Sequence, residues 1–202
     1  MNTKVYIVDD DQYARESLEW LIESVNLKVK SFSNAQLFLS ETSPEISGCL
    51  ILDVRMPDIN GMELFQQIRQ QNYNLPVIIM TGHADVAMAV RAMKAGAFDF
   101  IEKPYNDSLM LERIQNAIAF DEDNQKQRSQ IRQIEKRIQS LTPREKQVLE
   151  HVLASIPNKI IADKLSISIK TVELHRSNLM SKMQVTSATE LVRQVMQFNL
   201  HT

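Results

Sequence analysis

With a single cysteine among 202 residues, the chain has no internal disulfide. That residue, Cys49, sits inside an apolar run and reads as a small buried hydrophobe rather than a reactive thiol. No apolar run approaches the roughly 20 residues needed to cross a bilayer. Val5-Tyr6-Ile7-Val8 opens a strand pattern so early that no room is left for a secretory signal, and a cytoplasmic location with no membrane partner is expected. A dominant charge of one sign is also missing, since the net charge is only −2. That figure hides an asymmetry: residues 1–120 carry −6, residues 121–140 carry +1 and residues 141–202 carry +3. An acidic front and a mildly basic back suggest two modules with different partners, although so small a basic excess does not establish nucleic-acid binding. The apolar fraction of 44% is that of an ordinary globular chain.

What is present is alternation. Short apolar runs recur at Val5–Val8, Cys49–Leu52, Val77–Met80 and Phe98–Ile101, with a weaker one at Val29–Phe32. Between them lie residues at helical spacing: Leu18, Leu21, Ile22 and Val25; Met62, Phe65 and Ile68; Val86, Val90 and Met93. A further helix is expected from about Ser108 through Ile114 and Ile118. Five strands alternating with helices imply right-handed crossovers and a doubly wound parallel sheet covered on both faces. Residues 121–140 are polar, without glycine or proline, until Ile131, Ile134, Ile138 and Leu141 fall at spacings of 3, 4 and 3. This stretch is expected to be a helical linker. Its short seam either assists a two-stranded coil or docks on a neighbouring domain.

The organising stretch is Cys49-Leu50-Ile51-Leu52-Asp53. It reads as a strand buried on both faces that ends in a carboxylate, at the sheet edge where open α/β folds place their chemistry. Asp9, Asp10 and Asp11 follow the first strand directly. In a doubly wound sheet, strands one and three are neighbours, so Asp9 and Asp10 converge on Asp53. Carboxylates packed together repel unless a cation sits among them, and oxygen-only ligands suit Mg²⁺. Asp11 fits an N-cap better than a metal ligand. Thr81 and Lys103 also stand at strand ends, Lys103 followed by Pro104. A hydroxyl and an ammonium beside a metal-bound aspartate are what phosphoryl transfer needs.

Val8-Asp9-Asp10, Leu52-Asp53-x-x-Met56-Pro57-x-x-x-Gly61, Met80-Thr81-Gly82-His83 and Lys94-Ala95-Gly96-Ala97-x-x-Phe100-x-x-Lys103-Pro104 together resemble the receiver domain of two-component response regulators, a flavodoxin-like fold, over roughly residues 3–120. The resemblance implies that Asp53 takes a phosphoryl group from the phosphohistidine of a sensor histidine kinase. It implies Mg²⁺ on Asp10, Asp53 and the Arg55 backbone carbonyl, with Asp9 acting through water. Thr81 and Phe100 resemble the family's switch pair, phenylalanine standing where tyrosine is usual. Gly82-His83 reads as loop structure, with His83 placed to modulate dephosphorylation.

From Leu141 onward the pattern is wholly helical. Thr142-Pro143-Arg144-Glu145 is a capping-box start, with Val148, Leu149, Val152 and Leu153 on the core face. Ile160, Ile161 and Leu165 mark a second helix, Ser168 caps a third over Ile169–Met183, and Ser187 caps a last one through Phe198. On the third, Val172, His175, Leu179 and Met183 share a core-facing stripe. Lys170, Glu173, Leu174, Ser177 and Ser181 occupy the opposite stripe, available to a major groove or simply solvated. The motif Leu141-Thr142-x-Arg144-Glu145-x-x-Val148-Leu149 with Asn158-Lys159-x-Ile161-Ala162-x-x-Leu165-x-Ile167-Ser168-x-x-Thr171-Val172-x-x-His175-Arg176-x-Asn178-x-x-x-Lys182-Met183 resembles the LuxR-type helix-turn-helix, and the two-part order is similar to that of FixJ-type regulators. Two departures stand out: Ser155-Ile156-Pro157 stands where the family usually has a glycine at the end of the first helix, and Ile160 replaces a usual glutamate. Glu173 is suited to accept from a cytosine amino group and Leu174 to pack on a thymine methyl. Lys159, Lys170, Thr171, Arg176 and Lys182 are suited to phosphates.

The expected division is a receiver at 1–120, a linker at 121–140 and a four-helix DNA-binding domain at 141–202. The expected function is a transcription regulator rather than an enzyme, activating by phosphorylation-dependent homodimerisation on double-stranded promoter DNA with RNA polymerase as a further partner. A magnesium-dependent aspartyl-phosphate phosphotransferase or phosphatase, or a protein-interaction module without DNA binding, are the alternatives.

Overall fold

The computed structural model describes residues 4–83 and 86–199, so the outer limits of the two expected domains, residues 1 and 202, lie outside it. The chain forms two compact units, Met1–Gln125 and Lys126–Thr202.

The first unit is a five-stranded parallel sheet in the order β2-β1-β3-β4-β5, built from β1 (Lys4–Val8), β2 (Lys28–Phe32), β3 (Gly48–Asp53), β4 (Val77–Thr81) and β5 (Asp99–Glu102). All four pairings are parallel, and Val8 stands opposite Leu52 across β1 and β3. Side chains alternate between faces with a period of two. Tyr6, Val8, Leu50, Leu52, Val77 and Ile79 therefore join Phe38 of α2 (Ala35–Glu41) and Leu64, Phe65 and Ile68 of α3 (Gly61–Gln70) in one core layer. Val5, Ile7, Cys49, Ile51, Ile78 and Met80 join Leu18 and Ile22 of α1 (Gln12–Glu23) and Met110, Ile114 and Ala117 of α5 (Asp107–Gln139) in the other. Cys49 is fully buried, and that burial pushes its thiol pKa far up, as expected of an inert packing residue.

One apolar stripe faces the other way from its expected packing. On α4 (Val86–Lys94) the residues packed toward the sheet are Ala92 and Met88, while Val86 is 82% exposed and Val90 and Met93 are nearly half exposed. At about 100° per residue those three lie roughly opposite Met88 and Ala92. Helical spacing identified a stripe but not which of two apolar sides meets the sheet. On α1, Val25 falls beyond the helix end at Glu23.

The second unit packs α6 (Pro143–Leu153), α7 (Asn158–Leu165), α8 (Ile169–Met183) and α9 (Ala188–Asn199) around Val148, Ile161, Val172, Leu179, Met183 and Leu191. Ile134 and Leu141 are buried in this core and Ile138 packs against it. The isoleucine seam is thus taken up within the unit rather than by a second copy, and the stretch expected as a spacer is part of α5. The capping box at Thr142 and Glu145 forms in full, and Ser168 accepts from the Thr171 backbone N–H.

The missing glycine after α6 has a local consequence. Ser155 takes the left-handed conformation, φ 56°, so that its own N–H reaches the Val152 carbonyl and the Ile156 N–H reaches that of His151. This is a Schellman ending made without glycine, and a Cβ there costs about 1–2 kcal/mol. Glycine loses more chain entropy on folding, which offsets roughly 0.4–1 kcal/mol of that cost. Ser155→Gly is expected to stabilise the second unit by up to about 1 kcal/mol. Urea denaturation followed by helix circular dichroism checks this; Trp20 lies in α1, so its fluorescence transition serves as the unchanged control. An unmoved dichroism midpoint would contradict it.

Candidate functional site: an acidic pocket and an exposed helix face

Parallel strand ends gather the pocket residues. Asp53 closes β3 at 5% exposure, Asp9 follows β1 at 1%, and Asp10 beside it is exposed. One carboxylate oxygen from each of Asp9, Asp10 and Asp53 lies within 4.8 Å of the others. Lys103, just past β5, donates from Nζ to Asp9 Oδ2 at 2.7 Å and to Asp53 Oδ1 at 2.7 Å. The Arg55 backbone N–H donates to Asp53 Oδ2 at 2.6 Å, so each oxygen of Asp53 has a partner. Thr81 ends β4 fully buried, its hydroxyl accepting from the His83 backbone N–H at 3.3 Å. The Lys103 backbone N–H bonds to the Thr81 carbonyl at 2.8 Å, which fixes those two strand ends against each other. Phe100 on β5 is half-buried, opposite Ile79 and packed against the core layer that holds it. Asp11 caps α1 by accepting from Tyr13 and Ala14.

The electrostatics follow from burial. Burial pushes the Asp53 pKa up and the Asp9 charge adds to this, while Lys103 and the Arg55 N–H pull it back without prevailing. Burial alone would lower the pKa of Lys103, but the two carboxylates hydrogen-bonded to its ammonium raise it above the ordinary lysine value. Three carboxylates against one ammonium leave a formal charge of −2. Clustered hard oxygens with a residual charge of −2 therefore fit a divalent cation.

One contributor carried no clear sequence signal. Arg15, on the first turn of α1, donates from Nη1 to the Asp9 carbonyl at 2.7 Å. Gly61, already singled out by the Asp53 motif, is packed so closely that a Cβ would stand 2.0 Å from the Asp53 carbonyl oxygen, so any side chain there would displace that strand end.

On the second unit, Lys170, Glu173, Ser177 and Ser181 of α8 are exposed and Leu174 is 60% exposed, while Val172, Leu179 and Met183 are fully buried and His175 half-buried. Lys159 is exposed on the first turn of α7. Other side chains assigned to phosphates have internal partners. Arg176 donates to Asn158 Oδ1 at 2.8 Å, and the Thr171 hydroxyl pairs with that of Ser168 at 2.8 Å. Lys182 Nζ bonds to Glu145 at 2.7 Å, a carboxylate with only 3% exposure that also accepts from the Thr142 N–H. The Lys182 pair was not legible from spacing, because its partner lies 37 residues away.

The receiver-domain family model ("Response regulator receiver domain") matches residues 5–115, and the model "Bacterial regulatory proteins, luxR family" matches residues 139–195. The transcriptional regulatory protein FixJ of Bradyrhizobium diazoefficiens is 43% identical over 198 residues, 97% of each chain. This chain is a FixJ-type response regulator. It is accordingly a DNA-binding transcription regulator of a two-component system, with a receiver domain that implies a sensor kinase as partner. The response regulator protein TmoT of Ectopseudomonas mendocina is 42% identical over 94% of the regulator and 86% of its own length. Among solved structures, the response regulator StyR superposes with a TM-score of 0.89 at 39% identity, covering 96% of this chain and 98% of that one. Full-length FixJ from B. japonicum gives 0.59 at 42% identity over 98% of each. No helix among the described residues is long and apolar enough to cross a membrane.

Although burial alone would raise the Glu145 pKa, Lys182 and the Thr142 N–H hold it below the ordinary glutamate value. The unfolded chain then binds the proton first as pH falls, so this stabilisation is complete above about pH 4.3 and is lost as pH drops through the depressed value. Glu145→Gln is expected to cost about 1–2 kcal/mol at pH 7, partial solvation of Lys182 limiting the figure. Denaturation midpoints of the two proteins should converge below about pH 4. A constant gap down to pH 3 would contradict this assignment.

Proposed function

We propose that Asp53 is the phosphoacceptor of this regulator and that its charge state decides whether two copies assemble on a promoter. The observation that carries the reading is the Lys103 ammonium bonded at 2.7 Å to both Asp53 and Asp9, in a chain that also exposes the face of α8. An Asp53 carboxylate oxygen attacks the phosphorus of a phosphohistidine; the P–N bond breaks and the imidazole of the sensor histidine kinase leaves. Lys103 neutralises phosphoryl oxygens, and the Thr81 hydroxyl donates to one of them. Asp10, Asp53 and the Arg55 carbonyl, with Asp9 through water, would hold Mg²⁺, which supplies charge neutralisation to the transferring group.

Transfer removes the partner that Lys103 has in Asp53 and adds negative charge where Thr81 sits. Thr81 and Phe100 then form the switch, Phe100 following Thr81 into the core. The outward residues Val86, Val90 and Met93 of α4 provide an apolar surface for homodimerisation. Dimerisation presents two output domains to half-sites about one DNA turn apart. Within each, Glu173, Leu174 and Ser177 face base edges, and Lys159, Lys170, Thr171 and Arg176 lie toward phosphates. Lys182 is better assigned to Glu145 than to DNA. The receiver occupies residues 1–120 and the output domain residues 141–202 together with the end of α5. Recruitment of RNA polymerase and activation in the cytoplasm complete the proposal.

A mobility-shift titration tests it, using a duplex selected from a random pool by the wild-type chain. Acetyl phosphate with Mg²⁺ is expected to tighten wild-type binding about tenfold or more, the scale of a two-state shift, and to leave Asp53→Ala unchanged. Equal tightening in Asp53→Ala would refute the switch.

A further inference from the structure

The C-terminal end of α8 is held by a segment that sequence spacing presents as a connector. The Arg137 guanidinium, in the last turn of α5, donates from Nη1 to the Met183 carbonyl at 3.2 Å and from Nη2 to Gln184 Oε1 at 2.5 Å. Met183 is the final residue of α8, so its carbonyl has no partner within the helix, and Gln184 turns the chain through φ 54° directly after it. A guanidinium there satisfies an orphan carbonyl and opposes the negative end of the helix dipole. The same short segment makes a second hold one residue earlier: the Ser140 hydroxyl bonds back to the Arg137 carbonyl at 2.7 Å, and Lys182 Nζ lies 3.4 Å from the Ser140 carbonyl while it bonds to Glu145. Ile134, one turn before Arg137, is buried in the same core as Leu179 and Met183.

We propose that Arg137 is a positioning residue for DNA reading: through its bond to the last carbonyl of α8, the end of α5 sets the tilt and rotation at which Glu173, Leu174 and Ser177 meet base edges. The proposal rests on α8 being the reading helix. Residues 126–140 then act as a working part of the output unit rather than a tether. Base contacts depend on a side chain's placement to within fractions of an ångström, whereas phosphate attraction is tolerant of small rotations. Arg137 therefore governs specificity more than overall affinity. A phosphate-contacting arginine would behave oppositely, weakening all duplexes alike and lowering the salt slope by about one.

The test uses the full-length chain with acetyl phosphate and Mg²⁺, a duplex selected by the wild-type protein and a scrambled duplex of the same length, each titrated at several salt concentrations. Arg137→Ala is expected to weaken binding to the selected duplex about tenfold, the scale of one lost charge-assisted hydrogen bond, with the scrambled duplex changed less than about twofold and the salt slope kept. Arg137→Lys, which retains a donor for the Met183 carbonyl, is expected to recover most of the loss. Gln184→Ala, which leaves the core untouched, is expected to lower the ratio of the two affinities by a smaller factor and decides the matter should Arg137→Ala fail to fold. Parallel losses on both duplexes with a reduced salt slope, or a ratio left at the wild-type value by Arg137→Ala (or by Gln184→Ala, should Arg137→Ala not fold), would overturn the proposal. If the wild-type chain selects no duplex at all, the assignment of α8 as the reading helix fails, and this proposal with it.

Discussion

One ammonium keeps two buried carboxylates together at the end of the sheet. Asp9 and Asp53 are both nearly solvent-free, and without Lys103 between them their repulsion and lost hydration would push the strand ends apart or force a proton onto one of them. Lys103 does not fully relieve the strain, since Asp53 still titrates above the ordinary aspartate value. Such a pocket stores a preference: it gains from anything that adds positive charge or that redistributes the charge of Asp53. Gly61 contributes by lying against the Asp53 carbonyl, which leaves the strand end no room to retreat.

The two units solve a similar problem with different means. In the first, polar groups at strand ends are drawn in by parallel sheet geometry. In the second, a buried carboxylate, Glu145, is drawn in by a helix start and neutralised by Lys182 from the opposite end of α8. Helix α8 is held from three directions: by Arg176 to α7, by Lys182 to α6 and by Arg137 to α5. Its outer face stays open because its inner residues, Val172, Leu179 and Met183, supply the core. The proposed reading of DNA by α8 depends on that rigidity, since an unsupported helix could not hold side chains in register with base edges.

Much of this was legible from residue order. Four-residue apolar runs marked the buried strands, and the polar residue after each run fell at the same sheet edge because parallel strands share a direction. The α6 capping box and the Ser168 cap were legible for a local reason: both partners lie within a single helical turn. Less was legible where orientation or distant pairing decides. The α4 stripe has the right period, yet Ala92 rather than Val90 meets the sheet, because spacing cannot say which side of a helix faces inward. The seam at Ile134 and Ile138 was open between a second chain and its own output unit, and the structure takes the latter. Lys182 carried a positive charge on a helix of DNA-reading type; only the fold reveals Glu145 beneath it.

The central claim is that one carboxylate at the sheet edge carries the covalent signal. Treating the regulator with acetyl phosphate and Mg²⁺, trapping the acyl phosphate with borohydride and mapping the product by peptide mass spectrometry tests it most directly. The account predicts reductive conversion at Asp53 and at no other aspartate. Conversion at Asp9 or Asp10, or none at Asp53 in a sample whose DNA affinity has nonetheless risen, would contradict it.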